Sequence, residues 1–219
     1  MTHIRLTAFK WVPPAIQGLI RDLRVRWALE EVGWAYEEKL LRFGDQNSPE
    51  HRAVQPFGQV PVYEEDDLTL FESGAIVMHI GEKSPVLLPV EASARARVRT
   101  WMFAALNSVE PSVQALAVLD LLFAKEPWAP LRRPSAVAMA QGRLDALAVV
   151  LADRDYLEKQ FSGADVLMAT VLRFLRHTTL VSDIPVLAAY QARCEARPAF
   201  KRALAAQLAT FERHAPIAA

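Results

Sequence analysis

The chain has 219 residues, 52% of them hydrophobic, with 25 basic and 25 acidic side chains and a formal net charge of zero. That length suits one large domain or two small ones with real cores, and the charge balance gives no overall attraction to nucleic acid or to an anionic membrane. A single cysteine, Cys194, excludes a disulfide framework and a thiolate-rich zinc site within the chain.

The opening "MTHIRLTAFKWVPP" lacks the apolar core and small-residue cleavage site of a signal peptide. The apolar runs at 115–119 and 146–152 fall short of the roughly 18–20 residues that span a bilayer. The expectation is a cytoplasmic protein with no membrane or nucleic-acid partner. His79 lies on an apolar helical face, and His177 and His214 stand alone. No metal is expected.

In chain order, "HIRLTAF" (3–9) alternates apolar and polar residues as a half-buried strand does. "KWVPPAIQG" (10–18) reads as a loop. Leu19, Leu23, Ala28 and Val32 then recur at helical spacing, so residues 19–33 are predicted helical, with Gly33 as the stop. A second strand is expected over 34–41. A short helix follows over 48–56, with Ser48 as cap and Pro49 at its first position. "VPVYE" and "LTLFE" flank the acidic turn Glu65-Asp66-Asp67 as a hairpin, and a helix runs over 73–83. A β-α-β crossover followed by a hairpin and a helix makes a mixed four-stranded sheet with helices on its faces.

After "SPVLLP" (84–89) no strand pattern remains. Residues 91–213 read as Ala/Leu-rich helices broken near Pro111, around 126–134, and at Pro185 and Pro198. The expected organisation is an α/β domain over 1–83, a linker over 84–90 and an all-α domain over 91–219.

Two neighbouring features of the first domain carry chemistry. Proline cannot donate to a sheet ladder, so Pro61 belongs at a strand start or an edge. A cis Val60–Pro61 bond would turn the N–H and C=O of Val60 outward, where they can receive an extended peptide as an added strand; a trans bond would leave Pro61 to blunt an edge. Glu72 and Ser73 stand where strand gives way to helix. Free N–H groups and the positive dipole end favour an anion there, while Glu72 can pair with an ammonium. The pair suits an α-amino acid head; Ser73 could equally be a plain N-cap.

"QPFGQVPVY…LFESGAIVMHI" resembles the glutathione-binding half of the cytosolic glutathione transferases, whose pattern is N-P-x-G-x-V-P-x-L followed by an E/Q-S-x-A-I helix start. "VRWALEEVGWAYE" (25–37) is similar to that family's first helix and second strand. "YLEKQFSGADVLMATVL" (156–172) resembles its F-S-x-A-D capping box, with Ser162 and Asp165 at reciprocal capping spacing. The resemblance implies a thioredoxin-like domain followed by a helical bundle, a homodimer, and glutathione as co-substrate. It further implies that Val60 pairs through its backbone with the cysteinyl unit, Pro61 being the cis proline. Glu72 and Ser73 would hold the γ-glutamyl ammonium and carboxylate, and Gln46 and Gln59 would reach the glycyl carboxylate. The electrophile would be a small hydrophobic molecule near Leu106, Val109 and Val113.

The chain departs from the pattern in one respect. The family usually activates the thiol with a Tyr, Ser or Cys near the end of the first strand or the start of the first helix, but residues 10–34 contain no Ser, Thr, Tyr or Cys. Asp22 stands where many relatives carry serine, and a carboxylate beside a thiolate raises its pKa. Open replacements are Arg21 by its charge, Lys10 or the Trp11 indole from the loop, and helix N–H groups near Gly18 and Leu19. Thr7 lies within the strand. Cys194 reads as a small buried hydrophobe. The two functional readings are conjugation of glutathione to an electrophile and a non-catalytic binding module on the same fold. A glutathione-dependent reductase or peroxidase would share the same site.

Overall fold

The computed structural model describes residues 3–216; residues 1–2 and 217–219, the ends of the expected domain spans, lie outside it. Two compact units emerge, one of residues up to Ser84 joined by the chain from Pro198 onward, the other Pro85–Arg197.

The first unit contains four strands: β1 (Ile4–Phe9), β2 (Glu37–Leu41), β3 (Val62–Glu65) and β4 (Leu68–Phe71). Their order is β2-β1-β3-β4. β1 and β2 are parallel, with Arg5 opposite Glu37 and Phe9 opposite Leu41, whereas β3 is antiparallel to both β1 and β4. Helix α1 (Asp22–Val32) makes the crossover, α2 (Pro49–Val54) precedes the hairpin, and α3 (Ser73–Glu82) follows it. This is the mixed four-stranded sheet expected from the residues, in the thioredoxin-like form that the resemblance implies.

Local chemistry explains the boundaries. Ser48 caps α2 by accepting from the His51 amide at 3.2 Å, with Pro49 at the first helical position. Gly33 ends α1 at φ +70°, a left-handed conformation that costs glycine nothing. The start of α1 differs from the reading. Residues Pro14–Ile16 form a 3₁₀ turn, the Leu19 amide donates to the Ile16 carbonyl at 3.0 Å, and the α-helix begins only at Asp22. Leu19 is apolar because it is buried in the connection, not because it belongs to the helix.

α1 packs against α3 and against the last helix, which runs over Pro198–Arg213. Trp27 of α1 is fully buried and meets Phe200 edge-on, with ring centroids 4.9 Å apart. On one face of α1, Arg26 Nε lies 2.6 Å from Asp22 Oδ2, and the same guanidinium pairs with Glu38 of β2. Gln207 Nε2 closes the network on Asp22 Oδ1.

The second unit is helical among the described residues: α4 (Ala92–Ala104), α5 (Glu110–Leu122), α6 (Ala129–Leu151), α7 (Gly163–Leu172) and α8 (Pro185–Glu195), the final helix Pro198–Arg213 being α9. No break occurs at Pro111. A π-helical turn at Ala105–Val109 joins α4 to α5, and Pro111 sits in the first turn of α5, where a missing N–H is tolerated. The break expected around 126–134 does occur, over 123–128 between α5 and α6, and α6 then runs through Pro134. The resulting Ala92–Leu122 rod is long and apolar enough to cross a membrane by length and composition, yet half of its most apolar stretch is buried within the protein, as in a core helix. Val109 and Val113 are buried core residues, and Leu106 is half-buried.

α7 is buried along its whole length and carries the expected capping box. Asp165 accepts from the amides of Ser162 (2.9 Å) and Leu157 (3.0 Å), and from the Tyr190 hydroxyl (2.9 Å).

Candidate functional site

Val62 opens β3, Phe71 closes β4, and the two are paired. Val60–Pro61 and Glu72–Ser73 therefore leave the sheet at the same end. The C-terminal end of β1 lies there too, because β1 runs antiparallel to β3 with Leu6 opposite Tyr63. Ligands of open α/β sheets bind where parallel strands end and helices begin.

The Val60–Pro61 bond is cis. The Val60 side chain is buried with Phe9, Val12 and Phe211, and Trp11, Ile16, Ile20 and Leu41 pack against that cluster. This apolar wall holds the backbone, and among the described residues no hydrogen bond reaches the N–H or C=O of Val60. A pair of strand-edge groups left without partners is what an added peptide strand requires.

Glu72 is the N-cap of α3 and takes φ +69°, ψ 108°, a conformation non-glycine residues rarely adopt. Its exposed carboxylate caps nothing and makes no hydrogen bond within the described residues. Ser73 is the first helical residue, not the cap, so the plain N-cap role is not realised. Its hydroxyl oxygen is buried and accepts from Arg24 Nη1 at 3.2 Å. The opening amides of α3, with no side-chain cap, offer donors and positive dipole to an anion.

Gln46 and Gln59 stand on adjoining loops. Gln46 lies in the 3₁₀ turn Asp45–Asn47, its Oε1 accepting the Gly44 amide at 2.6 Å. The buried His51 ring nitrogen Nε2 lies 2.7 Å from the Gln59 carbonyl oxygen. Arg52 bridges the two loops, donating to Asn47 Oδ1 (2.9 Å) and to the Pro56 carbonyl (3.0 Å). Gly58 sits between them at φ +64°, and a Cβ there would lie 3.0 Å from Asn47 Oδ1 and 3.1 Å from the Gln46 carbonyl oxygen.

A family model for the N-terminal domain of glutathione S-transferases matches residues 15–82. A maize protein, glutathione S-transferase 4, is 35% identical over 189 residues, spanning 80% of this chain and 83% of that protein. The chain belongs to the glutathione S-transferase family.

Solved structures of other glutathione transferases agree with this fold. The Burkholderia graminis enzyme, solved with two glutathione molecules per subunit, superposes with a TM-score of 0.78 at 27% identity, over 92% of this chain and 87% of that one. Glutathione transferase F7 of Populus trichocarpa gives 0.78 at 26% identity, over 94% and 99%.

Within this glutathione S-transferase chain, the groups considered for thiol activation fall in different surroundings. Arg21 is half-buried and immediately precedes α1. Lys10 and Trp11, just beyond β1, are also half-buried, and Thr7 is buried within β1. The Leu19 amide is already bonded to Ile16 and is not an open donor. Asp22 does not stand over the site as a bare carboxylate; its oxygens are engaged by Arg26 and Gln207 on the α9 side of α1. Burial pulls the Arg26 pKa down, but Asp22, Tyr36 and Glu38 outweigh it and hold it above its ordinary value.

Cys194 is fully buried in the helical unit, and burial, with Asp165 nearby, pushes its thiol well above the usual range. No reactive thiolate arises there. Among the described residues, no group of three or more His, Cys, Asp or Glu could hold a metal ion. Arg24 and Gln207 escaped the sequence reading. Each acts through a partner far along the chain, and nothing local to either position announces it.

Proposed function

We propose that the protein binds glutathione on its thioredoxin-like domain and delivers the thiolate to a small hydrophobic electrophile. The observation that carries this reading is the pairing of an unbonded Val60 backbone with the uncapped start of α3, where Glu72 and Ser73 stand. Val60 would take the cysteinyl unit as a short added strand, beside Pro61. Glu72 would pair with the γ-glutamyl ammonium, and Ser73 with the amides of α3 would take its carboxylate. Gln46 and Gln59 would reach the glycyl carboxylate. The protein contributes orientation and desolvation, and the thiol gives its proton to solvent. The sulfur forms the new bond to the electrophile as a leaving group such as chloride departs with the bonding pair or, in an addition, as the adduct takes up a proton from solvent. The sulfur is glutathione's own, Cys194 being buried.

Arg21 is the candidate cation for the thiolate, since a nearby positive charge lowers a thiol pKa. The protein would act in the cytoplasm as a homodimer, without a metal, a membrane or nucleic acid.

A second reading, a non-catalytic glutathione-binding module, is favoured by the lack of any Ser, Thr, Tyr or Cys over residues 10–34. Thiolate absorbance of bound glutathione across a pH series separates the two. The enzyme reading expects the bound thiol to titrate at least one unit lower than free glutathione, with Arg21→Gln reversing the shift and turnover of 1-chloro-2,4-dinitrobenzene falling with it. A bound thiol titrating like free glutathione, with no turnover of electrophiles or of mixed disulfides, would leave the binding module.

A further inference from the structure

We propose that Arg24 is a positioning residue for the γ-glutamyl carboxylate of glutathione, acting through Ser73; this rests on the glutathione reading above. Arg24 is the third residue of α1 and is only 2% exposed, and Ser73 is 4% exposed. Their contact, Nη1 to Oγ at 3.2 Å, joins two helices across the buried interior of one unit.

A serine oxygen that accepts from a guanidinium still has its own proton to donate. Among the described residues no acceptor takes that proton from Ser73. Arg24 fixes where the lone pairs point and so aims the O–H at whatever lies before α3. Three positive influences meet at that point: the hydroxyl proton, the opening amides of α3 and the guanidinium behind them. An ammonium is repelled there, and a carboxylate is held. Glu72, exposed one residue earlier, provides the opposite charge for the ammonium on the same carbon.

The face of α1 matters as well. Asp22 and Arg26 are one turn apart and share the side toward α9 and β2, whereas Arg24 lies between them in sequence and projects to the opposite side, toward α3. The two faces of the helix thereby serve different ends, Asp22 and Arg26 tying α1 to α9 and β2, and Arg24 holding Ser73 at the start of α3.

The test compares two ligands on three proteins. Reduced glutathione and 4-aminobutanoyl-Cys-Gly, which lacks only the γ-glutamyl α-carboxylate, are titrated calorimetrically into the wild type, Arg24→Lys and Arg24→Gln, each first checked for native unfolding behaviour. The wild type should prefer glutathione by about tenfold or more, the discrimination of a charge-assisted contact. Arg24→Gln should lose that preference by weakening glutathione while the analogue changes less than about twofold. Arg24→Lys, which keeps the charge without the planar fork, should retain part of it. If either folded variant weakens both ligands equally, or neither, Arg24 is merely structural and the proposal is overturned. A wild type that binds neither ligand overturns the glutathione reading and this inference with it. Should Arg24→Gln not fold, the Arg24→Lys comparison decides alone.

Discussion

Gln207 Nε2 lies 2.7 Å from Asp22 Oδ1, so a residue 185 positions down the chain completes the buried ion pair of the first helix. Asp22 and Arg26 side chains are each 1% exposed, and Glu38 and Thr210 extend the network toward α9. Removing Asp22 leaves the buried Arg26 guanidinium with the partly exposed Glu38 as its remaining ion-pair partner among the described residues. Asp22→Ala should cost about 3–5 kcal/mol in chemical denaturation. The double variant Asp22→Leu/Arg26→Met should lose less than Asp22→Ala alone, because it removes the buried, incompletely compensated guanidinium and leaves the partly exposed Glu38 to solvent. A double variant weaker than the single one would contradict this account of the network.

Gly58 is held at φ +64°, where an added Cβ would crowd Asn47, Arg52 and the Gln46 backbone at 3.0–3.1 Å. Gly58→Ala should cost about 1–3 kcal/mol from backbone strain and crowding. The adjoining loops of Gln46 and Gln59 must then shift, so glutathione affinity should fall without being abolished. Thermal unfolding and calorimetric titration of the same variant check both halves.

Glu72 holds a conformation costly to any residue but glycine. Glu72→Gly should therefore raise stability by about 1 kcal/mol, the relief of strain exceeding glycine's greater entropy loss on folding. It should also weaken glutathione by about tenfold through loss of the ammonium partner. Glu72→Ala, which keeps the strain, should weaken binding without the gain in stability. That opposition of stability and binding is the signature of a strained functional residue.

Glu65 gives the pH dependence. Burial raises its carboxyl pKa, but hydrogen bonds from Lys83 Nζ (2.7 Å) and His79 Nε2 (2.7 Å) outweigh this and leave it below its ordinary value. A lowered folded pKa contributes stability that is fully present above the unfolded value, near 4.5, and is lost as pH falls through the folded one. Glu65→Gln should flatten the acid limb of the stability curve below about pH 4.5 and leave its neutral shape intact. An unchanged acid limb would remove Glu65 from that role.

Much of the architecture was legible because its signals are local. Ser48-Pro49, Gly33 and the Ser162/Asp165 spacing each describe a helix end within four residues, and each is found capping as read. Two signals misled for physical reasons. Leu19 continues the apolar periodicity of α1 but is buried as part of the connection, so periodicity extended the helix too far. Pro111 promised a break, but in the first turn of α5 its missing N–H costs little, and the irregularity sits in the π turn before it. Pro61 at a strand start and Glu72-Ser73 at a strand-to-helix junction were legible from local residue chemistry, while the glutathione contacts assigned to them and to Gln46 and Gln59 came from the family resemblance. Arg24 and Gln207 were not legible, because a charge on an amphipathic helix gives no sign of which distant element it will meet.

The most direct measurement is thermal unfolding of the wild type over a concentration series of reduced glutathione. Binding to the folded chain should raise the midpoint progressively, adding about 2.7 kcal/mol near 100 times Kd, a shift of a few degrees for a protein this size. Glu72→Ala and Ser73→Ala should each move the curve to higher ligand concentrations. No shift for the wild type at millimolar glutathione would contradict the central claim that this sheet end is a glutathione site.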